Sequence, residues 1–370
     1  MLLSAYYSGY LMQNNIRSVF VHIVTFNNAG IICKCLDSII NQEGFELGNT
    51  LRISVSDNAS SDLCPDIISA NYAEKISLRK NKLNLGFCAA HNAGVFDFLQ
   101  SGMDLLLIVN PDLKLQKNTL LTLVQRALSD PLCGGASPKL YRADSKLDPL
   151  NPLIIDSAGM ILCNSLRHFD RGSGEKEVGQ FPSSEYVFGV SGACMLLKRA
   201  FVEDMLIDDG PYSMLPSEIF PSLYGDRLKR AQLFDEAFFA YREDADLAWR
   251  AERTKWRFLY VPEAVAYHTR VVLPERRKQL DPVLNRHSVR NRFLLQVNNY
   301  SAFARPEALV PGIFFRNLIV ILGVLFFERS SLQGLREFIR LLPRALYIRK
   351  KNKERKRNLK DVTTVTYRYL

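Results

Sequence analysis

The amino-acid sequence predicts an α/β protein in which a mostly parallel β-sheet is covered by helices. Two observations predict this class. Short apolar runs rich in β-branched residues alternate with segments whose apolar residues recur at helical spacing. Several of these runs end in polar residues, as strands do at the ligand-binding edge of a parallel sheet. A hydrophobic content of 47% with 23% charged residues is that of a folded chain.

The first 110 residues contain the clearest alternation of strands and helices. We expect strands at residues 18–27, 52–58, 76–79 and 104–110. We expect helices at residues 29–41 and from 84 to about 100. The last of these strands is continuously apolar, as a strand buried on both faces is. The polar ends of the strands should therefore meet along one edge of the sheet.

The second half of the chain is less periodic. Residues 133–189 are richer in Gly, Pro and Ser, which favours mixed strands and loops that complete one wall of a cleft. An apolar run with small residues follows at 187–197, and the strand predicted at 257–268 ends in His268. We expect three parts: an N-terminal extension at 1–16, a globular domain at 17–285 and a helical, basic region at 286–370.

The C-terminal region combines apolar and basic residues. Its uninterrupted apolar run, Leu318–Phe327, is shorter than the roughly 20 residues that cross a bilayer. Apolar residues then recur among arginines from 335 to 348, a pattern typical of helices that lie on a membrane. The formal charge of +10 is concentrated at 340–360. This charge favours an anionic membrane surface over nucleic acid. A helical pair packed on the globular domain explains the same pattern, and both can hold.

The cysteines and the N-terminus bear on the cellular compartment. The seven cysteines are odd in number and lack the paired spacing of a zinc site. Reduced thiols in a folded core explain them and indicate a cytoplasmic protein. The first residues lack the basic-then-apolar order of a secretion signal. We therefore expect a cytoplasmic protein held peripherally on the inner face of the cell membrane, and oligomerisation stays open.

Two strand ends carry side chains that could bind a divalent metal ion. Asp112 follows the apolar strand, with Pro111 fixing the local backbone, and His268 ends a later strand. A carboxylate oxygen suits Mg²⁺ or Mn²⁺ bound to a diphosphate. Turn formation by Asp112 and a structural hydrogen bond by His268 explain the same residues, so both interpretations stand.

Three acids cluster at the expected start of a helix: Glu243, Asp244 and Asp246. Acids stabilise a helix N-terminus, and Asp246 can pair with Arg250 one turn later. That explanation does not cover two adjacent acids that follow the aromatic run 238–241. Its rings could desolvate a carboxylate and make it a better base.

Several enzyme classes lack their sequence signals. The turn at 84–94 leads into a helix whose N–H groups favour anions, but it contains neither a Walker loop nor the dinucleotide glycine pattern. A Gly-x-Ser-x-Gly elbow is missing, which argues against an acyl hydrolase. A nucleotidyltransferase would share the strand-end acids. It should also show a lysine- and glycine-rich phosphate loop, and none is visible in this sequence.

Taken in order, the motifs resemble glycosyltransferase family 2, and within it the rhamnosyltransferase-type members. The resemblance covers residues 17–268. Its pieces are Val24-Thr-Phe-Asn27, Ser56-Asp-Asn-Ala-Ser-Ser-Asp62, Asn84-Leu-Gly-Phe87, Asn110-Pro111-Asp112, Ser191-Gly-Ala193, Phe234–Arg250 and Tyr260–His268. Each piece is weak alone, and their order makes them specific. Asn110 stands where the family's Asp-x-Asp motif has its first acid.

This resemblance implies a GT-A fold, which is a Rossmann-like α/β sheet flanked by helices. It places these residues around a nucleotide-sugar: Thr25, Asn27, Asp57, Asn58, Asn84, Gly86, Phe87, Asn110 and Asp112. It places Gly192, Ala193 and Tyr241 on the acceptor side. Asp112 and His268 match the site of a divalent metal, Mn²⁺ or Mg²⁺. Of the two catalytic residues that it implies, Asp244 matches the base and Glu243 helps to form the acceptor side.

We therefore expect an inverting glycosyltransferase of cell-surface polysaccharide synthesis. Its donor would be a nucleotide-diphosphate sugar, with thymidine-diphosphate rhamnose (dTDP-rhamnose) first and a uridine-diphosphate hexose second. Its acceptor would be a saccharide or a lipid-linked saccharide. A catalytically inactive sugar-binding scaffold of the same fold is the remaining alternative.

Overall fold

A computed structural model describes residues 17–223, 230–270 and 282–355. The expected extension at 1–16 and the basic tail after residue 355 lie outside the described residues. The strands are β1 (Val19–Thr25), β2 (Leu51–Asp57), β3 (Ser77–Lys80), β4 (Leu105–Val109), β5 (Leu113–Leu115), β6 (Cys133–Arg142), β7 (Ile155–Ser157), β8 (Met160–Leu162), β9 (His168–Asp170), β10 (Glu185–Val187), β11 (Cys194–Lys198) and β12 (Arg257–His268).

Ten of these strands form one central sheet. Its order is β10, β12, β6, β11, β4, β1, β2, β3, with β5 paired to β12 and β7 paired to β6. The half that contains β4, β1, β2 and β3 is parallel. β11 runs antiparallel to both of its neighbours, β4 and β6. β8 and β9 form a separate two-stranded sheet.

The α-helices are α1 (Ile32–Ile40), α2 (Cys64–Tyr72), α3 (Gly86–Ser101), α4 (Thr119–Ser129), α5 (Arg199–Met205), α6 (Glu243–Ala251), α7 (Pro282–Asn299), α8 (Asn317–Phe326) and α9 (Leu332–Arg355). The predicted alternation in the first 110 residues is confirmed to within a few residues at each boundary. The apolar run predicted at 187–197 is divided, because β10 ends at Val187 and β11 begins only at Cys194.

The continuously apolar strand β4 shows why the sheet is covered on both faces. Leu105, Leu107 and Val109 pack into the core beneath α1, α2 and α4. Leu106 and Ile108 point the other way, into the core that contains α3, α5 and α6. Since neighbouring side chains of a strand point to opposite faces, a central strand needs apolar residues at every position.

The C-terminal helices pack against the globular part of the chain. α7 and α9 lie together, and Arg344 of α9 forms a buried ion pair with Asp235 at 2.5 Å between Nη1 and Oδ1. Arg290 of α7 pairs with Glu337 of α9 at 3.0 Å. The interpretation as a helical pair packed on the globular domain therefore describes these two helices.

The apolar segment between α7 and α9 is largely exposed. A short 3₁₀ turn, a π-helix (Leu309–Arg316) and α8 form one continuous helical segment, Pro306–Phe326. Its 21 residues are long and apolar enough to cross a membrane, judged by length and composition only. The sequence interpretation began the run at Leu318 because Arg316 and Asn317 interrupt it; the helix extends it upstream. Phe314 and Phe315 are each 63% exposed.

Candidate active site

The ends of β1 and β2 bring the first predicted nucleotide-side residues together. The two strands run parallel with Thr25 opposite Asp57, and the Thr25 hydroxyl donates to Asp57 Oδ1 at 2.9 Å. Asn58 donates its backbone N–H to the Thr25 carbonyl at 2.8 Å and its side-chain amide to the Gly86 carbonyl at 3.0 Å. The Asn27 side chain, at a φ of 59°, accepts from the neighbouring turn.

The turn before α3 requires a glycine. Gly86 has a φ of 73°, and a Cβ there would lie 2.5 Å from the carbonyl oxygen of Phe239. The Asn84 side chain accepts the Gly86 N–H at 2.8 Å. The Phe87 ring lies against Gly192, whose Cβ, if present, would be 3.3 Å from it. The predicted donor and acceptor residues are therefore neighbours at this turn.

The turn between β10 and β11 joins the two sides of the site. Ala193 accepts the backbone N–H of Asn110 at 2.9 Å, at the end of β4. Gly192 donates its N–H to Asp244 Oδ2 at 3.2 Å. The turn thus contacts both the segment that leads to Asp112 and the acid at the start of α6.

Asp112 and His268 lie side by side. β5 runs antiparallel to β12 with Leu113 opposite His268, so the residue before β5 meets the end of β12. His268 Nε2 is 3.3 Å from Asp112 Oδ1, and His268 Nδ1 is 2.8 Å from Asp156 Oδ2. Asp156, on β7, is 2% exposed. A carboxylate behind a histidine in this way fixes the tautomer and orientation of a metal ligand.

These side chains fit a divalent ion bound together with a diphosphate. Asp112 Oδ1 is buried and has no hydrogen-bond partner among the described residues, and it faces His268 Nε2. Burial lowers the pKa of His268, but Asp112 and Asp156 more than offset it and raise that pKa to about 10. The described ranges contain no group of three or more potential metal-binding side chains. An ion here would therefore take further ligands from donor phosphates and water.

An ion-pair network continues from the histidine towards α6. Arg270 donates Nη1 to Asp156 Oδ1 at 3.2 Å and pairs through Nη2 with Asp170 Oδ2. Asp170 ends β9, and its Oδ1 is buried without a hydrogen-bond partner in the described part of the chain. The charges of Asp170 and Arg270 both act on Asp244. Asp112 is thus connected through His268 and Asp156 to Arg270, whose charge also acts on Asp244.

The acids at the start of α6 have different environments. Asp244 is half-buried, and burial followed by the charge of Asp170 raises its pKa. Glu243 is buried with Oε2 unpartnered among the described residues, and burial followed by Asp244 raises its pKa well above the usual range. Asp246 pairs with Arg250 at 2.8 Å, as the helical spacing predicts. A raised pKa suits a general base, which favours Asp244. Asp246 has a structural role instead, because its carboxylate is paired with Arg250.

The loop that precedes α6 is strained, and hydrogen bonds from α7 hold it in place. Phe239, Tyr241 and Arg242 have positive φ angles of 64°, 70° and 76°, which non-glycine residues rarely adopt. Tyr241, the predicted acceptor-side residue, is 40% exposed. Asn291 of α7 is fully buried and donates to three carbonyl oxygens of this loop. The acceptors are Phe238 and Ala240 at 2.8 Å and Tyr241 at 2.9 Å.

Sequence reasoning missed four residues of this arrangement: Asp156, Asp170, Arg270 and Asn291. The first two lie in the aperiodic stretch 133–189, where single acids carry no pattern. Their positions depend on the pairing of β7 with β6 and on the separate β8–β9 sheet. Asn291 lies beyond the recognised motifs. The sequence places it only in the predicted helical region at 286–370, and no pattern there marks a residue that supports the site.

Comparison with known proteins identifies the family of the chain. Residues 20–206, just over half of the chain, match the family described as Glycosyl transferase family 2. N-acetylglucosaminyl-diphospho-decaprenol L-rhamnosyltransferase of Mycobacterium tuberculosis, in strains CDC 1551 / Oshkosh and ATCC 25618 / H37Rv, is 23% identical over 230 residues. That alignment covers 59% of this chain and 66% of the relative, slightly less than two thirds of its length.

Solved structures share the fold at low sequence identity. S. aureus TarS 1–349 in complex with UDP-GlcNAc superposes with a TM-score of 0.50 at 15% identity, covering 92% of this chain and 89% of the TarS 1–349 chain. GalNAc-T7 with UDP, GalNAc and Mn²⁺ gives 0.51 at 11% identity, covering 87% and 55%. The mixed sheet flanked by helices is therefore that of the GT-A glycosyltransferases. The protein is a glycosyltransferase and belongs to glycosyl transferase family 2.

Proposed function

We propose that this glycosyltransferase transfers rhamnose, with inversion, from dTDP-rhamnose to a lipid-linked saccharide in cell-surface polysaccharide synthesis. The matched relative from M. tuberculosis is named for rhamnose transfer to a diphospho-decaprenol saccharide, which supports this donor and acceptor. The observation that carries the proposal is that Asp112 lies beside His268, while the Gly192–Ala193 turn contacts both Asp244 and Asn110, two residues before Asp112.

In this mechanism the nucleotide lies over the ends of β1, β2 and β4. Asp57 and Asn58 line the nucleoside side, and Asn84, Gly86 and Phe87 form the adjacent turn. Asp244 removes the proton of the acceptor hydroxyl as that oxygen attacks the anomeric carbon from the face opposite the diphosphate. Burial, followed by the charge of Asp244, raises the pKa of Glu243 and so favours its neutral carboxylic acid form. Asp112 and His268 would hold a divalent ion, which neutralises charge on the departing diphosphate when bound.

The loop that carries Tyr241, on the proposed acceptor side, contacts the C-terminal region through Asn291. Pro306–Phe326 presents large apolar side chains to solvent, and the basic helix α9 follows it. We propose that this segment holds the enzyme on the cytoplasmic face of an anionic membrane, within reach of a lipid-linked acceptor. On this proposal residues 17–285 form the transferase domain and residues 286–370 a membrane-associating unit.

A panel of nucleotide sugars tests the donor assignment. Thermal unfolding is measured for the full chain with dTDP-rhamnose, UDP-GlcNAc, UDP-glucose and GDP-mannose, each with and without Mn²⁺. We expect dTDP-rhamnose with Mn²⁺ to give the largest rise in Tm, because ligand that binds only the folded state stabilises it. A larger rise with a UDP-hexose would transfer the proposal to that donor. No rise with any of them, in a folded sample, would remove it.

Replacing His268, at the end of β12, should abolish the additional rise in Tm that Mn²⁺ gives. In His268→Ala we expect Mn²⁺ to add no further rise in Tm to the nucleotide-bound protein, because one of two adjacent ligands is gone. Asp156→Asn should weaken Mn²⁺ by about 10- to 100-fold, since it only orients the ligand. Calorimetric titration of Mn²⁺ into the dTDP-bound protein measures both. Wild-type Mn²⁺ affinity in His268→Ala would place the ion elsewhere.

The acid limb of the kcat/KM profile should lie at a higher pH than it would with a base of ordinary aspartate pKa. The base must be deprotonated, and burial together with Asp170 raises the pKa of Asp244, so activity is lost as pH falls through that raised value. Asp170→Asn removes the repelling charge and should move the acid limb of the kcat/KM profile to lower pH. A limb that stays in place in Asp170→Asn would contradict this coupling.

A further inference from the structure

Four arginines surround the acceptor side of the site, and the family resemblance assigns none of them. We call Arg167, Arg242, Arg292 and Arg316 the arginine cluster. Arg167 lies in the turn between β8 and β9, Arg242 directly precedes α6, Arg292 lies on α7 and Arg316 ends the π-helix. They come from four separate elements, so tertiary packing alone brings them together.

Close packing fixes this arrangement. A Cβ on Gly312 of the π-helix would lie 2.6 Å from the Leu166 side chain, so the exposed apolar segment sits directly on the β8–β9 turn. Arg292 donates Nε to Asn317 Oδ1 at 2.9 Å, beside Arg316. Asn291, the preceding residue on α7, donates to the Tyr241 carbonyl and so holds the Arg242 backbone against the same helix.

Two members of the cluster, Arg292 and Arg316, are incompletely hydrogen-bonded within the described residues. Arg292 is 5% exposed, and its Nη2 has no hydrogen-bond partner among the described residues; the same holds for Arg316 Nε and His168 Nδ1. Burial and then the charges of Arg242, Arg316 and Arg167 lower the pKa of Arg292 to about 9. Within the described ranges, no carboxylate lies at ion-pair distance from Arg292 or Arg316. A bound anion would stabilise the buried guanidinium group of Arg292 and the half-buried one of Arg316.

The position of the cluster indicates what kind of anion. Arg242 is followed directly by Glu243 and Asp244, so an anion here lies beside the base and not at Asp112, where the donor diphosphate is expected. The segment that supplies Arg316 also exposes Phe314 and Phe315. A ligand that meets both features has several phosphate oxygens attached to an apolar chain. Guanidinium groups suit such oxygens because they donate in pairs.

We propose that the arginine cluster binds the diphosphate of a polyprenyl-diphosphate-linked saccharide, and so positions its sugar hydroxyl at Asp244. The proposal rests on the proposed transferase function and adds to it the chemistry that recognises the acceptor. The apolar segment would then contact the prenyl chain while the cluster neutralises the diphosphate.

Binding of farnesyl diphosphate to the full-length protein tests the cluster. Isothermal titration is done in detergent with saturating dTDP and Mn²⁺, so that the donor site is filled. We expect wild type to bind farnesyl diphosphate more tightly than farnesyl monophosphate. Arg316→Gln and Arg292→Gln should each weaken farnesyl diphosphate at least tenfold and leave dTDP affinity unchanged. If Arg292→Gln does not fold, the half-buried Arg316 carries the test.

Arg329→Gln is the matched control, since Arg329 is an exposed arginine just beyond the same apolar segment. It should change farnesyl diphosphate affinity less than twofold. Equal weakening by Arg329→Gln would show general attraction of anions and overturn the proposal. So would a result in which Arg316→Gln reduces binding to phosphatidylglycerol vesicles but not to farnesyl diphosphate. If either result occurs while dTDP still binds, the arginine-cluster proposal is overturned but the proposed function stands. If wild type binds no nucleotide at all, the proposed function itself is overturned.

Discussion

Asp244→Asn should lower transfer by about 10³- to 10⁴-fold while nucleotide affinity stays at the wild-type level. Asp244 accepts the N–H of Gly192 at 3.2 Å and its own helix N–H, from Ala245, at 2.7 Å. An asparagine can keep the position but cannot accept the proton of an acceptor hydroxyl, and a positioned base contributes about 10²- to 10⁴-fold. Transfer is measured by product formation, and dTDP affinity by calorimetry.

Asp246→Asn is the matched control in the same helical turn. Its carboxylate is buried and paired with Arg250 at 2.8 Å, and it also accepts from Asn299 at 2.7 Å. Removing one partner of a buried pair costs about 3–5 kcal/mol of stability. We therefore expect a lower Tm but substantial transfer below that temperature. More than a tenth of wild-type turnover in Asp244→Asn would assign the base to another residue.

Asn291→Leu should lower kcat by about 10²-fold without changing dTDP affinity. The leucine is close in size but removes the amide that donates to the Ala240 and Tyr241 carbonyls, whereas the Phe238 carbonyl keeps its bond from Arg290. Each strained residue of this loop costs about 1–3 kcal/mol. The loop then relaxes and moves the start of α6. A displacement of about 1 Å at a catalytic group is enough for such a loss.

The control for this variant must separate positioning from stability. Asn298→Leu on the same helix removes a buried hydrogen bond to Asp235, at 3.2 Å, and leaves the carbonyls at 238–241 bonded. Both variants should lower Tm, but only Asn291→Leu should lower kcat well below the unfolding transition. Equal kcat values for the two variants would show that Asn291 acts through stability alone.

The donor half of the site could be predicted from the sequence because its geometry is local. Thr25, Asp57 and Asn110 each follow an apolar run, and parallel strands place such ends at one edge. The ion-pair network behind His268 could not be predicted in the same way. Asp156, Asp170 and Arg270 meet only because β7, β9 and β12 come together, and no periodicity along the chain indicates that pairing.

The apolar C-terminal segment shows a second limit of sequence patterns. Arg316 and Asn317 interrupt the hydropathy pattern, so the sequence predicted a short run. In the structure Asn317 bonds to Arg292 and to Gln296, and both partners are on α7. Polar residues that face the protein do not end an apolar helix, because their hydrogen bonds are made on the side away from solvent.

The contacts of Asn291 also decide where chimeric enzymes can be joined. The stretch that matches the family ends at residue 206, well before both the acid at 244 and the helix that supports its loop. A graft designed to change acceptor choice would therefore have to carry residues 235–242 and α7 together from one parent. A crossover placed between them would pair a strained loop with a foreign helix that lacks the amide to hold it.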